Sequence, residues 1–570
     1  MYLRSTLRRN KDGSEVRYLQ LAHNVWDPVA KRSRVQVIWN FGREEPGTRE
    51  ALARLAASVS RYLEPGRPRA GAEGLEFAES RPLGGTWVLE ALWERLGIGP
   101  AARGLLEGRR LDPAAERVLF ALAANRALAP SSKLAAARWA SEDVHITGLP
   151  QTSDDACYRA MDWLLEIRGT LEKEVFGKAS ELLGLEIDLL FFDTTSTYFV
   201  TEEADAPAAR DEHGNPVPAA DGQGRDGGEL KTAGFRTWGK SKDHRDDLPQ
   251  VVIGMAVTRD GIPLRVWCWP GNTADSALIR QVKDDMRHWS LSRVIWVADR
   301  GFTSAENRRY LRKGGNHYII GEKLRSGSAE AGAALSRQGR YQDVAGNLRV
   351  KEVRIAEDER FVICHNPDGA ERDAATRARL VAQLKELIGR SDALGKDKRA
   401  ELRGVISTKP GLNRYLRVTP GGLLRIDAGK AKAEENLDGK YLLRTSDPKM
   451  TAEDIALGYR QLLEVERGWR DMKQVIDLRP VYHRKEERIR AHVILCWLAL
   501  LLARIAENAC GSTWPELRRQ LDRITVGTFA GPAGIFRQRT EISPAQHDIL
   551  ARLSIDPPPK IYQLIPATSR

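Results

Sequence analysis

Cysteine is scarce in this chain of 570 residues. Its five cysteines (Cys157, Cys268, Cys364, Cys496, Cys510) include no CxxC pair. That scatter excludes a disulfide framework and a structural zinc site, and points to reduced thiols in a cytoplasmic protein. Long apolar runs are missing as well. The longest, Val493 to Ala503, falls short of the ~20 residues a membrane helix needs and reads as a buried helix. The opening residues, Met-Tyr-Leu-Arg-Ser-Thr-Leu-Arg-Arg, lack the apolar centre of a signal peptide. No G-x-x-x-x-G-K-[ST] run offers a cradle for ATP phosphates, and no Ser/His/Asp order stands out. Acid is outnumbered: 77 Asp and Glu against 89 Lys and Arg leave a net charge of +12. Such a balance favours a polyanionic partner, because Lys and Arg release counterions when they neutralise phosphates.

What is present fits an ordinary globular composition, 42% hydrophobic and 29% charged, in a chain long enough for ~3–4 domains. Residues 1–70 hold 14 Lys and Arg against 7 Asp and Glu, more than half of the whole excess. Within them, Val16-Arg-Tyr-Leu-Gln-Leu and Arg34-Val-Gln-Val-Ile-Trp alternate as strands do, with a Lys11-Asp-Gly turn signal between nearby segments. Residues 46–65 look helical, and Pro65-Gly-Arg-Pro-Arg-Ala-Gly reads as a linker. Residues 71–185 become helical from about Thr86, with Asp154 as the expected cap of the last helix. A buried strand follows at 186–200, then a loop rich in Ala, Asp, Gly and Pro at Thr201–Gly234. A hairpin turned at Arg259-Asp-Gly-Ile, a helix near Ser276–Trp289 and a further strand complete this stretch. Residues 326–445 mix strand segments with one expected helix, Ala374–Leu402, rich in Lys, Arg and Leu.

Three acids stand out from this pattern. Asp193 ends the apolar run Leu189-Leu-Phe-Phe-Asp193-Thr-Thr-Ser, and Asp299 ends Val294-Ile-Trp-Val-Ala-Asp299-Arg-Gly-Phe. Glu466 lies in the helical-looking stretch Tyr459-Arg-Gln-Leu-Leu-Glu-Val-Glu466-Arg-Gly-Trp469-Arg-Asp-Met-Lys473. A carboxylate at the end of an apolar strand is costly unless paired. Carboxylates converging from distant parts of a chain can hold Mg²⁺ or Mn²⁺, whose preference is for oxygen ligands. Taken singly, Asp193 reads equally as a turn residue, Asp299 as a partner of Arg300, and Glu466 as part of an exposed ion-paired face. If the last stretch is one helix, ~100° per residue puts Tyr459, Glu466 and Lys473 on a single face, with Leu462 and Trp469 close to it.

The surroundings of these acids resemble the DDE transposases of bacterial insertion sequences, in the insertion-sequence-four superfamily and its sixteen-thirty-four-like branch. Tyr459, Glu466 and Lys473 fall in register with that family's Tyr-x-x-Arg-x-x-x-Glu-x-x-x-x-x-x-Lys signature, which selects Glu466 over Glu464. The signature arginine is replaced by Leu462. Further matches are Gly239-Lys-Ser-Lys-Asp-His-Arg-Asp-Asp-Leu-Pro249, Gly271-Asn-Thr-Ala-Asp275 and Arg479-Pro-Val-Tyr-His483 onward to His492. The order and spacing of these motifs, from about Asp154 to the C-terminal region, carry the resemblance.

The resemblance implies an α/β, ribonuclease-H-like catalytic domain with a β-rich insertion, preceded by β-rich N-terminal and helical DNA-binding regions. The expected boundaries are a basic β-rich region at 1–70, a helical DNA-binding domain at 71–185, and catalytic parts at 186–325 and 446–515. The insertion occupies 326–445 between those parts, and a C-terminal region follows at 516–570. Asp193, Asp299 and Glu466 are the implied catalytic metal ligands for Mg²⁺ or Mn²⁺. Tyr459, Trp469, Arg470, Lys473, Lys240, Lys242 and Arg245 are candidate DNA contacts, with His244 a further one. His492 reads as structural. The implied activity is cleavage at terminal inverted repeats and joining of the ends to target DNA, by a dimer or higher multimer on double-stranded DNA. Neither a tyrosine nor a serine recombinase signature is evident. Two other functions share these residues: a DNA-binding protein without the chemistry, and a metal-dependent nuclease without strand transfer.

Overall fold

Alternation at the N-terminus does build strands, and the long apolar run near residue 500 does build a buried helix. The computed structural model describes residues 2–9, 15–27, 31–63, 76–109, 112–183, 188–211, 214–217, 231–287, 289, 294–325, 327–344, 346–356, 359–531 and 534–566. The turn signal at Lys11 and the linker at Pro65 lie outside the described residues.

Along the chain, strands β1 (Tyr2–Arg9), β2 (Glu15–Asp27) and β3 (Arg32–Arg43) precede helix α1 (Pro46–Leu63) and strand β4 (Glu76–Pro82). Helices α2 (Gly84–Arg95), α3 (Ile98–Leu106), α4 (Ala115–Leu128), α5 (Lys133–Arg138) and α6 (Asp154–Leu183) follow. Next come β5 (Leu189–Tyr198), β6 (Ala208–Arg210), β7 (Lys231–Ala233), β8 (Gln250–Val257), β9 (Pro263–Pro270), α7 (Asp275–Asp285) and β10 (Ile295–Ala298). They lead into α8 (Ala305–Arg312), β11 (His317–Glu322), α9 (Ala329–Ser336), β12 (Gln342–Val344), β13 (Leu348–Ala356) and β14 (Glu359–His365). The chain continues with α10 (Pro367–Ile388), α11 (Lys396–Ser407), α12 (Pro410–Asn413), β15 (Leu416–Val418), β16 (Leu424–Ile426), α13 (Ala428–Glu435) and β17 (Lys440–Thr445). It closes with α14 (Ala452–Arg460), α15 (Leu463–Gln474), α16 (Glu486–Cys510), α17 (Trp514–Leu521), β18 (Thr525–Gly531), β19 (Gly534–Arg539), α18 (Pro544–Arg552) and β20 (Ile561–Pro566).

These elements divide into two units, residues 1–185 with 470–570, and residues 186–469. In the first, β4 pairs antiparallel with β18 to complete the sheet β20-β19-β18-β4. Helix α16 lies against α4 and α6. Its 25 residues make it longer than the apolar run read from sequence, and its most apolar window is wholly buried. A helix apolar on every side must be covered on every side, and Trp497, Leu498 and Leu502 have no exposed surface. The region expected at 446–515 as a second catalytic part is therefore split, with α16 belonging to the helical unit. The cap of α6 also differs from expectation. Ser153 accepts the Ala156 N–H at 3.1 Å, and Asp154 is already the first helical residue. All five cysteines are buried, and none is joined to another in a disulfide.

The second unit is built on nine strands in the order β12-β13-β14-β17-β11-β10-β5-β8-β9. β10 pairs in parallel with β5 on one side and β11 on the other, while β5, β8 and β9 form an antiparallel meander. Strands β12, β13, β14 and β17, expected as a separate insertion, instead extend this sheet through antiparallel pairing onto β11. Pairing of the late strand β17 between β11 and β14 joins them into one ladder, so their main-chain groups are satisfied by the sheet itself. What stands apart is a small cluster around Leu384, Ile406, Leu412, Tyr415 and Leu424. The helix expected over Ala374–Leu402 is two helices, α10 and α11, separated by a short turn at Ser391–Ala393.

Candidate active site

Asp193 and Asp299 come together because two parallel strands deliver them at one level. The β5–β10 ladder ends with Phe192 opposite Ala298, and each acid is the next residue. Asp193 is not at a strand end, as the sequence suggested: β5 runs on to Tyr198, paired to β8 alone. The acid sits where β5 loses its β10 neighbour, with its carboxylate 3.8 Å from the Lys242 ammonium. The Asp193 side chain keeps 24% of its exposure. Burial pushes its carboxyl up to about 6; Lys242 acts the other way, and the charges of Asp299 and Asp275 raise it further.

Tyr459, the last-turn tyrosine of α14, donates its hydroxyl to Asp299 Oδ1 at 3.2 Å. Gly321 on β11 makes this possible, because a Cβ there would lie 2.4 Å from the Tyr459 hydroxyl oxygen. Burial and the Asp299 carboxylate raise the Tyr459 phenol well above its ordinary range, so it stays a donor.

The expectation of one continuous helix through Tyr459 and Lys473 is corrected. α14 ends at Arg460 and α15 begins at Leu463. Between them the N–H groups of Gln461, Leu462, Glu464 and Val465 bond three residues back instead of four, a tightening that changes the helix phase. Tyr459 and Glu466 therefore belong to different helices. Glu466 lies in the first turn of α15 and is exposed. Within α15 it is followed at i+4 by the exposed Arg470 and at i+7 by the half-buried Lys473, a spacing that repeats one helix face. Trp469, placed by sequence on a DNA-facing stripe, is buried with Val465 and Met472 at 6%, 0% and 0% exposure. The apolar spacing i, i+4, i+7 made it a core residue.

α15 approaches β8 at Met255. Met255 is the cross-strand partner of Asp193, and paired residues share a face. A Cβ on Gly468 would come 2.6 Å from the Met255 Cε, so the glycine lets the helix down onto that partner. Even so, among the described residues no group of three His, Cys, Asp or Glu is gathered closely enough to hold a metal ion. The structure brings Asp193 and Asp299 together and leaves Glu466 apart from them.

The residues between Gly239 and Pro249 are placed unequally. Lys240 and His244 are exposed, His244 with a φ of 57°. Arg245 is held by both oxygens of Asp247, at 2.8 Å each, and lies over the Tyr198 ring. Lys242, expected to face phosphate, turns inward: its ammonium is 3.1 Å from Asp275 and 3.8 Å from Asp193. Asp275 is the residue that sequence reasoning missed. It closes the Gly271-Asn-Thr-Ala-Asp275 motif, quoted there as a match without a role, and a fourth acid ending such a motif was the available signal. His492 is structural, as expected, buried with Nε2 3.1 Å from the Leu478 carbonyl.

Chemically, the donors at hand are oxygens alone: the neighbouring carboxylates of Asp193 and Asp299, and those of Asp193 and Asp275 about the Lys242 ammonium, two acids at a time. Such a set fits a hard divalent cation and disfavours zinc.

A transposase DDE domain model matches residues 214–502 of the chain, and an IS1634 family transposase N-terminal domain model matches residues 3–70. No curated protein matches it. Among solved structures it is similar to a piggyBac transposase in a synaptic complex with hairpin DNA, determined by cryo-EM. The two share 12% identity, with 78% of this chain and 82% of that chain covered and a TM-score of 0.35.

Proposed function

The chain belongs to the DDE transposases, in their IS1634 branch, and from that premise we propose that it cleaves the terminal inverted repeats of an insertion sequence and joins the ends to target DNA. The observation that carries this is the delivery of Asp193 and Asp299 side by side beyond the last pair of the β5–β10 ladder. Support for a ribonuclease-H-like core comes from the strand order β9-β8-β5-β10-β11, an antiparallel meander followed by parallel strands. Asp193, Asp299 and Glu466 are the residues that would hold Mg²⁺ or Mn²⁺. A pair of such ions supplies activation of the attacking oxygen and stabilisation of the leaving oxygen in in-line displacement.

The chain's own residues do the rest. Asp193 and Asp299 concentrate negative charge at one point, and Tyr459 fixes the rotamer of Asp299 by its hydrogen bond. Glu466 completes the set when the first turn of α15 closes on that pair. Support for that approach comes from Gly468, two residues on, which packs near Met255, the cross-strand partner of Asp193. Arg470, Lys473 and Lys240 supply charge to the DNA backbone, contacts that position without reading sequence. Residues 1–70 and 71–185 recognise the element ends, with an affinity that falls steeply as salt rises. The working form is a dimer or larger multimer on DNA, in the cytoplasm.

The test is a duplex carrying the inverted repeat, incubated with Mg²⁺ and a target plasmid. Cleaved ends and joined products are expected from the wild-type chain, and neither from Asp193→Asn. Cleavage without joining would assign a nuclease, and binding without cleavage a DNA-binding protein.

A further inference from the structure

Lys242 is held more tightly than a phosphate-seeking lysine needs to be. Its backbone N–H donates to Ser196 Oγ at 2.8 Å, tying the loop to β5. Neighbouring turns are fixed in the same way, with Ser241 N–H donating to Asp246 at 2.7 Å and Asp243 N–H to Ser241 Oγ at 3.2 Å. From this anchored start the side chain reaches back to β5. The ammonium donates to both the carbonyl and the hydroxyl of Thr194, at 2.6 Å each, and faces the carboxylates of Asp275 and Asp193.

Four oxygens therefore surround one positive charge, two of them from carboxylates. Oxygens in that number and of that kind are what a hard divalent cation selects. Asp275 reaches the cluster from the first turn of α7, a favourable place for an acid because the helix N-terminus is partially positive. The lysine side chain retains 36% of its exposure, so it has solvent to move into when it leaves.

We propose that Lys242 holds the place of a divalent cation between Asp193 and Asp275, and competes with that cation for their carboxylates. The inference rests on the reading of Asp193 as a metal ligand and deepens it. Lys242 is then a positioning residue. In the metal-free chain it keeps Asp193 and Asp275 aimed at one point. On loading it withdraws, and its ammonium becomes available to backbone phosphate at the same spot. Asp275 guides it in both positions.

A structural role and a competing role predict opposite signs, which makes the test sharp. Mn²⁺ binding to the full, DNA-free chain is measured by titration calorimetry for wild type, Lys242→Met, Lys242→Arg and Asp193→Asn. Removing a unit charge at this range is expected to tighten Mn²⁺ binding by roughly tenfold in Lys242→Met, while Lys242→Arg stays near wild type. Unchanged or weaker binding by a folded Lys242→Met chain overturns the proposal, as does an absence of binding in both chains. Lys242→Gln reads the same quantity should the methionine variant not fold. Asp193→Asn separates the two levels. If it binds Mn²⁺ as wild type does, the metal reading of Asp193 fails. If it loses binding while Lys242→Met is unchanged, only the competition fails.

Discussion

Phe192 and Ala298 face each other as the last pair of the parallel ladder, and the residues after them are the two acids of the site. Their separation is thus set by main-chain hydrogen bonding between neighbouring strands, ~4.8 Å apart. Rigid strands hold such a pair more accurately than loops do.

The two strand-delivered acids and the helix acid should fail in the same way. Asp193→Ala, Asp299→Ala and Glu466→Ala are each expected to abolish Mg²⁺-dependent cleavage of an end duplex while leaving its binding intact. Gel shift and cleavage on the same preparations check this. A folded single variant that cleaves at the wild-type rate removes its residue from the set.

Tyr459→Phe deletes only the hydroxyl that bonds Asp299. Cleavage should slow by about tenfold, the worth of one hydrogen bond to a charged group, with DNA affinity unchanged. Gly321→Ala should cost more, because the added methyl collides with that hydroxyl and pushes the ring away. Single-turnover rates that rank the two variants in the other order would contradict the geometry.

Acid should loosen the helical unit. His483 is buried against Tyr158 and His492. Burial, then the charges of Lys133, Arg488 and Arg126, lower it to about 4, with Asp162 opposing. An unfolded histidine takes a proton near 6.5, so between 6.5 and 4 the unfolded chain binds more protons. Stability is then full above pH 6.5 and falls as pH drops toward 4, by on the order of 2 kcal/mol at pH 5 from this residue. Urea unfolding at pH 7.5 and pH 5 measures it, and His483→Gln should shrink the difference by that amount.

Leu498 has no exposed surface in a helix covered on all sides. Leu498→Ala should destabilise by about 2–5 kcal/mol, as cavity-forming changes do. Calorimetric melting of the full chain tests this, and a loss below about 1 kcal/mol would mean that α16 is not the centre of its unit.

Much of this was legible in the sequence for one reason: local patterns are short-range. Strand alternation placed β1 to β3, and apolar runs ending in acid located Asp193 and Asp299. The hairpin at Gly261 was visible because its φ of 72° needs a glycine there. What escaped was set by distant partners. Nothing in Lys440–Thr445 announces that it will pair with His317–Glu322 and bind the expected insertion into the main sheet. The helix break at Gln461 lacks Gly or Pro, so periodicity ran straight across it. Trp469 was misjudged for the same reason: with the phase of α14 carried forward, it fell on the wrong face. For Lys242 the sequence gives the charge, while its direction toward Asp275 and Asp193 is set by the fold.

The pairing of β4 with β18 also sets a timetable. Residues 186–469 are continuous and can close as soon as they leave the ribosome. Residues 76–82 cannot: their neighbour, β18, follows more than 440 residues later. A fragment of residues 1–185 therefore exposes a bare sheet edge and the flanks of α4 and α6, which is a recipe for aggregation. A shortened product that ends before β18 is made would carry the acids of the site without a finished helical unit. Synthesis itself thereby delays assembly of the helical unit until residues 525–531 have been made.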